Sequence, residues 1–171
     1  MSAPRIYLDN VICSGLTLRD LVPPSEMAAS DTIASAAASG RVVVETSRQT
    51  GVEQERTKDN IKRADLLERQ GTVPRVRDDH KVMGFSNTSF GSFPLVEDVV
   101  DRPLLDLLKA EGLKEGDARH LMYAVHHGSD YFVTIDSDFG VDEPGRRALL
   151  ERHCRGLKIR KPSEIVGLLS L

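Results

Sequence analysis

Short apolar runs alternate along this chain with longer stretches of helical periodicity. Ile6-Tyr-Leu8 reads as a short buried strand, and the alanine-rich stretch Pro24 to Ser39 predicts a helix with Ser25 as its cap and Gly40 as its stop. Arg41-Val-Val-Val-Glu45 predicts a second strand. From Ser47 to Gln70 the chain is highly charged, and apolar spacings of three and four through Ile61, Ala64, Leu66 and Leu67 mark the second half as amphipathic helix, while Gly51 weakens the first. Periodicity is lost from Thr72 to about Val100, where turn formers mix with Phe85, Phe90 and Phe93. This predicts a long loop or insertion, serving as a surface excursion or as a lid or partner-binding element.

Regular structure resumes with a helix from Pro103 to Ala110 and another from Asp117 to His127, the latter carrying Ala118, Leu121, Met122 and Val125 on one face. A strand Tyr131 to Ile135, a helix Pro144 to Cys154, a strand Leu157-Lys-Ile159 and a last helix after Pro162 and its hydroxyl cap Ser163 complete the reading. Strands alternating with helices predict an α/β protein, a three-layer α/β/α sandwich around a mainly parallel sheet. At 171 residues the chain is one domain's worth.

Composition narrows the chemistry. A net charge of −3 does not draw nucleic acid to the molecule as a whole, so polyanion binding needs a local basic patch or bound cations. The cluster Arg146, Arg147, Arg152, Arg155, Lys158, Arg160 and Lys161 is the candidate patch, read either as RNA contacts or as a solvated face. Cys13 and Cys154 lack metal-ligand spacing and are expected as reduced thiols. Asp9 and Asn10 interrupt the first apolar stretch, which is unlike a signal-peptide core or a membrane span, so a cytoplasmic protein with no membrane partner is expected.

Neither GxGxxG nor GxxxxGK[ST] occurs, which excludes nucleotide binding by those loops. His126 and His127 read as an exposed helix end, and His80, His120 and His153 stand isolated without zinc-ligand spacing. Carboxylates remain. Asp9 and Asp136 close two strands, Asp117 opens a helix as its N-cap, and Glu53 follows a strand near a helix start, so all four are placed to face one edge of the sheet. Ionised carboxylates gathered in one place repel one another unless a cation lies among them. Mg²⁺ takes oxygen ligands and retains waters, so two to four carboxylates suffice, and such a site can activate water and stabilise charge developing on a phosphodiester. That is nuclease chemistry.

Four segments in order carry a family likeness: Tyr7-Leu-Asp-Asn10, Ser47 to Glu53, Asp117-Ala-Arg-His-Leu-Met-Tyr-Ala124, and Thr134-Ile-Asp-Ser-Asp-Phe139, with Lys158-Ile-Arg-Lys-Pro162 as a family-like ending. The chain resembles the PIN-domain ribonucleases and is close in size to their VapC-type toxins. The resemblance implies a PIN-like fold and an Mg²⁺- or Mn²⁺-dependent endoribonuclease with Asp9, Glu53, Asp117 and Asp136 as its metal site. Asn10, Ser47 and Thr134 would orient ligands or waters, and Asp138 would share the role of Asp136. It also implies a homodimer and an antitoxin partner, to which the loop with Phe85, Phe90 and Phe93 would offer apolar contact; single-stranded or loop RNA is the expected substrate, because an acidic cleft needs an accessible phosphodiester and sequence-specific RNA recognition favours unpaired regions. The chain departs from the family in that Asn10 follows Asp9 directly, where the common motif has Asp-Thr-Asn. Glu45 and Glu55 rival Glu53. An inert PIN-like scaffold binding RNA or protein, and a nuclease acting on structured DNA, are the alternative readings.

Overall fold

The computed structural model describes residues 2–21, 23–70, 74 and 100–171. The region predicted as a long loop, with Phe85, Phe90 and Phe93, lies outside the described residues apart from Pro74 and Val100.

Strands β1 (Arg5–Leu8), β2 (Val43–Glu45), β3 (Tyr131–Val133) and β4 (Lys158–Arg160) form one four-stranded sheet in the order β2-β1-β3-β4, every pair parallel. The register sets Tyr7 beside Phe132 and Phe132 beside Ile159, so these three side chains share one face. Their neighbours Ile6, Leu8 and Val133 point to the other, as the two-residue period of a strand requires. Both faces are therefore apolar, as expected for parallel strands covered on both sides.

Helices cover each face. Behind Tyr7, Phe132 and Ile159 pack α5 (Arg102–Ala110), α6 (Glu115–His126) and α7 (Pro144–His153), contributing Leu105, Leu108, Leu121 and Leu150 to one core. Against Ile6, Leu8 and Val133 pack α1 (Asn10–Leu18), α2 (Pro24–Ala38) and α8 (Pro162–Leu169), through Ile12, Ile33 and Ile165. Helices α3 (Arg48–Glu55) and α4 (Asn60–Gln70) follow β2 and pack on α1. This is an α/β protein with helices on both faces of a parallel sheet. Among the described residues, no helix is long and apolar enough to cross a membrane.

Several local expectations are revised. Helix α1 follows β1 with no intervening loop, because Asp9 ends the strand and at the same time caps the helix by accepting from Asn10 N at 2.7 Å. Helix α2 is capped two residues before the predicted position: Pro23 is the N-cap and Ser25 lies inside the helix. Ser163 is likewise inside α8, where its N–H and hydroxyl donate to the buried Glu26 at 2.9 and 2.7 Å and tie α8 to α2. Asp117 occupies the first turn of α6, whose N-cap is Lys114. The third strand stops at Val133, since the Thr134 hydroxyl accepts from Asp136 N at 3.0 Å and turns the chain into the 3-10 turn Ser137–Phe139.

The chain runs from β1 to β2 on one side of it and then crosses back past β1 to β3 on the other, so the strand order reverses between β1 and β3. The crevice at the carboxyl ends of β1 and β3 is thus the switch point where open α/β sheets bind ligands.

Candidate functional site

Asp9 leaves the end of β1 into this crevice, and Thr134 and Asp136 leave the end of β3 beside it. Helix α3 brings Glu53 and the first turn of α6 brings Asp117, and together with Asp9, Asn10 and Asp136 they line an open cleft of about 430 Å³. The four carboxylates expected at one sheet edge do share one cleft.

Each is held differently. Asp9 is 5% exposed, and besides capping α1 it accepts from the Thr134 hydroxyl at 2.7 Å. Burial pushes its carboxyl above the ordinary range, and the charges and donors of His120, Thr134 and Asn10 only partly offset this. Asp136 accepts from Asp138 N at 2.8 Å. Glu53 accepts from Gln49 Nε2 at 2.9 Å, one turn earlier on α3. Burial alone would raise its pKa, yet the adjoining His120 imidazole holds it below the usual carboxylate range. Asp117 has no hydrogen-bond donor among the described residues, and burial together with the charges of Asp9, Asp136 and Glu53 pushes its carboxyl up to about 6.

His120, which looked isolated in the sequence, belongs to this site. It is fully buried on α6, with Nε2 3.2 Å from Glu53 Oε1 and 4.0 Å from Asp9 Oδ1. The contact to Glu53 lacks hydrogen-bond alignment, so its attraction is mainly that of charge. On the other edge of the ring, Nδ1 lies 2.8 Å from the hydroxyl of Tyr7, which in turn donates to Ser47 Oγ at 2.5 Å. Burial opposes an imidazolium here, but Glu53, Asp9 and Asp117 raise the His120 pKa above its ordinary value. The signal was present in the sequence: His120 falls three residues after Asp117 and next to Leu121, a polar side chain inside the buried stripe of its helix.

The remaining expected residues are sorted by the same geometry. Ser47 is completely buried, caps α3 by accepting from Gln49 N at 3.2 Å, and reaches the carboxylates only through Tyr7 and His120. Asn10 accepts from Ser14 Oγ at 3.1 Å and lines the cleft. Asp138 does not line it; its carboxylate pairs with Lys114 at 2.7 Å. Of Glu53 and its rivals it is Glu53 that lines the cleft, while Glu45 pairs with Arg5 at 2.7 Å and Glu55 is exposed on α3. Cys13 and Cys154 are free, buried thiols pushed up to about 12 by that burial. His126 and His127 do end α6, but half-buried rather than exposed.

The basic cluster is largely spoken for. Arg147 pairs with Glu164, Arg160 and Lys158 with Glu151, Lys161 with Asp142, and Arg155 with Asp101, while Arg146 donates to the backbone carbonyls of Asp138 and Glu111. It is a salt-bridged framework around α7 and β4.

As a donor set the cleft is all oxygen, which suits a hard cation. Among the described residues, no three His, Cys, Asp or Glu side chains are drawn together into a metal cage. A hydrated Mg²⁺ does not ask for one, because it keeps several waters and uses one or two carboxylates. Asp117, without a donor among the described residues and lifted by burial and by three neighbouring negative charges, is the group whose repulsion such an ion would relieve. Compared with family models, with curated proteins and with solved structures, this chain finds no match.

Proposed function

We propose that the protein is a PIN-like, metal-dependent endoribonuclease acting on single-stranded or loop RNA. The observation that carries this reading is the convergence of Asp9, Glu53, Asp117 and Asp136 on one cleft at the switch point of a parallel sheet. A divalent ion held there would activate water and stabilise the charge developing on a phosphodiester. Thr134 and the first N–H of α1 fix Asp9, Gln49 and His120 fix Glu53, and the 3-10 turn fixes Asp136. Asp117 is the carboxylate left without a donor, so it has the least to lose in turning to a cation or its waters. The openness of the cleft suits an unpaired strand, whose phosphodiesters are accessible. The resemblance to VapC-type toxins extends the reading to a homodimer restrained by an antitoxin.

Purified protein is to be incubated with labelled single-stranded and hairpin RNAs in Mg²⁺ or Mn²⁺ and in EDTA, beside Asp9→Asn. Cleavage that requires metal and disappears in the variant is expected, a loss of at least about a hundredfold by analogy with other removals of charge-stabilising groups. Equal, background-level activity of both proteins on every RNA, with no Mn²⁺ bound by either, would replace this reading with an inert RNA- or protein-binding scaffold.

A further inference from the structure

Glycine is the poorest helix former after proline, yet Gly116 sits in the first turn of α6 with ordinary helical backbone. No left-handed conformation calls for it. What it provides is clearance: a Cβ at this position would lie 2.9 Å from Glu53 Oε1 and 3.4 Å from Gln49 Nε2. The Glu53 carboxylate therefore occupies the space that any other side chain at 116 would take.

One turn further along the same face of α6 stands His120, whose Nε2 meets the same Glu53 oxygen at 3.2 Å. A lone pair on Nε2 would face the carboxylates of both Glu53 and Asp9, so the proton belongs on that nitrogen. The ring is held from behind by the buried Tyr7 hydroxyl at 2.8 Å and by the edge-on Tyr7 ring, with centroids 5.9 Å apart. From α3 itself, Gln49 supplies the third restraint at 2.9 Å.

We propose that Gly116 and His120 are positioning residues: the missing side chain opens a seat for the Glu53 carboxylate on α6, and the braced imidazole keeps it there. This rests on reading Glu53 as a cation ligand, and neither residue is assigned a contact with substrate. The clash created by a methyl group at 116 falls on the free end of a flexible side chain, so Glu53 moves while the helix stays. Gly116→Ala therefore separates function from stability: α6 gains a better helix former and Glu53 loses its place.

The experiment uses full-length wild type, Gly116→Ala, His120→Leu, His120→Gln and Asp9→Asn. Three quantities are measured: the thermal midpoint in EDTA, the imidazole ¹⁵N resonances assigned to His120, and Mn²⁺ affinity by calorimetry. Glu53→Gln calibrates how the His120 resonances respond to loss of the carboxylate. Gly116→Ala is expected to move those resonances in the direction of Glu53→Gln, to leave the midpoint unchanged or higher, and to weaken Mn²⁺ binding about tenfold or more. His120→Leu is expected to weaken it similarly, with partial recovery in His120→Gln, which keeps a donor. If the His120 resonances of Gly116→Ala coincide with wild type, the seat does not exist and the inference is overturned. If Gly116→Ala moves them but wild type binds Mn²⁺ no better than Asp9→Asn, the seat stands and the cation reading of the cleft falls.

Discussion

In the first turn of α6, burial and the repulsion of Asp9, Asp136 and Glu53, set against the nearby charge of Lys114, push the Asp117 carboxyl up from 3.8 to about 6. The sign of the linkage is fixed by that direction. Between about pH 4 and pH 6 the folded protein holds a proton that the unfolded chain has released, so this residue's contribution to stability falls as pH rises through the window and stays low above it. Asp117→Asn removes the dependence. Thermal midpoints in EDTA are expected to decline more steeply with rising pH for wild type than for Asp117→Asn across this window, and Mn²⁺ is expected to raise the wild-type midpoint more at pH 7 than at pH 4.5. Parallel curves for the two proteins would mean that neither burial nor its neighbours' charge shifts Asp117 in the fold. At this scale the sequence was informative wherever a side chain's role follows from its place at a strand end, as for Asp9 and Asp136. For His120 it marked only a polar side chain in the buried stripe of α6, because a histidine acquires its partners when β1 and α3 are brought against that helix, and nothing local announces Tyr7 and Glu53 as neighbours.

Helix α1 shows how close packing of one element shapes a wall of the cleft. Gly15 lies against Leu21, whose buried side chain comes so near that a Cβ at 15 would meet Leu21 Cγ at 2.1 Å and both Cδ atoms within 2.9 Å. Here, unlike at Gly116, the whole branched end of the neighbour blocks the space, and it is packed in the core with Ile12 and Met27. Gly15→Ala is expected to destabilise by about 1–3 kcal/mol through overpacking, at about 2–4 °C of thermal midpoint per kcal/mol for a chain of this size. An unchanged midpoint in differential scanning calorimetry would show that Leu21 yields without cost. The strands and the amphipathic α5 and α6 were legible because their apolar period matches the surface they bury, whereas on α4 the same spacing marked a helix of whose apolar positions Ile61, Ala64, Leu66 and Leu67 only Leu66 is buried. Helix α1 was not, since Asp9 is both the last residue past β1 and the N-cap, leaving no turn residues to mark a boundary. The break between α3 and α4 was hidden by the polar, highly charged run Arg56-Thr-Lys-Asp59, which holds neither Gly nor Pro to mark it.

For the molecule as a whole, the distribution of charge decides how a polyanion could approach. Of the seven Lys and Arg residues between Arg146 and Lys161, five pair with acidic side chains and Arg146 donates to backbone carbonyls, so most of the patch suggested by the sequence is engaged within the fold. Arg155 and Lys158 also line a second cleft, with Asp130 and Tyr131 at the amino ends of β3 and β4, the length of the sheet away from Asp9. If these two cations tracked an RNA backbone, their replacement would flatten the salt dependence of binding by about 1.4 in the slope of log K against log salt, at about 0.7 per single-stranded phosphate contact. The structure argues for a smaller effect, because each already has a carboxylate partner and stands at the opposite edge from the acidic cleft. The double variant Arg155→Gln, Lys158→Gln is therefore expected to bind a noncleavable single-stranded RNA within about twofold of wild type and with an unchanged salt slope. Fluorescence anisotropy between low and physiological salt measures both. In the same assay, replacing Mn²⁺ by EDTA is expected to weaken binding far more than the double substitution does, since an ionised acidic cleft in a molecule of net charge −3 repels phosphate until a cation intervenes. The reverse ranking would move the RNA path to the β4 edge and away from Asp9.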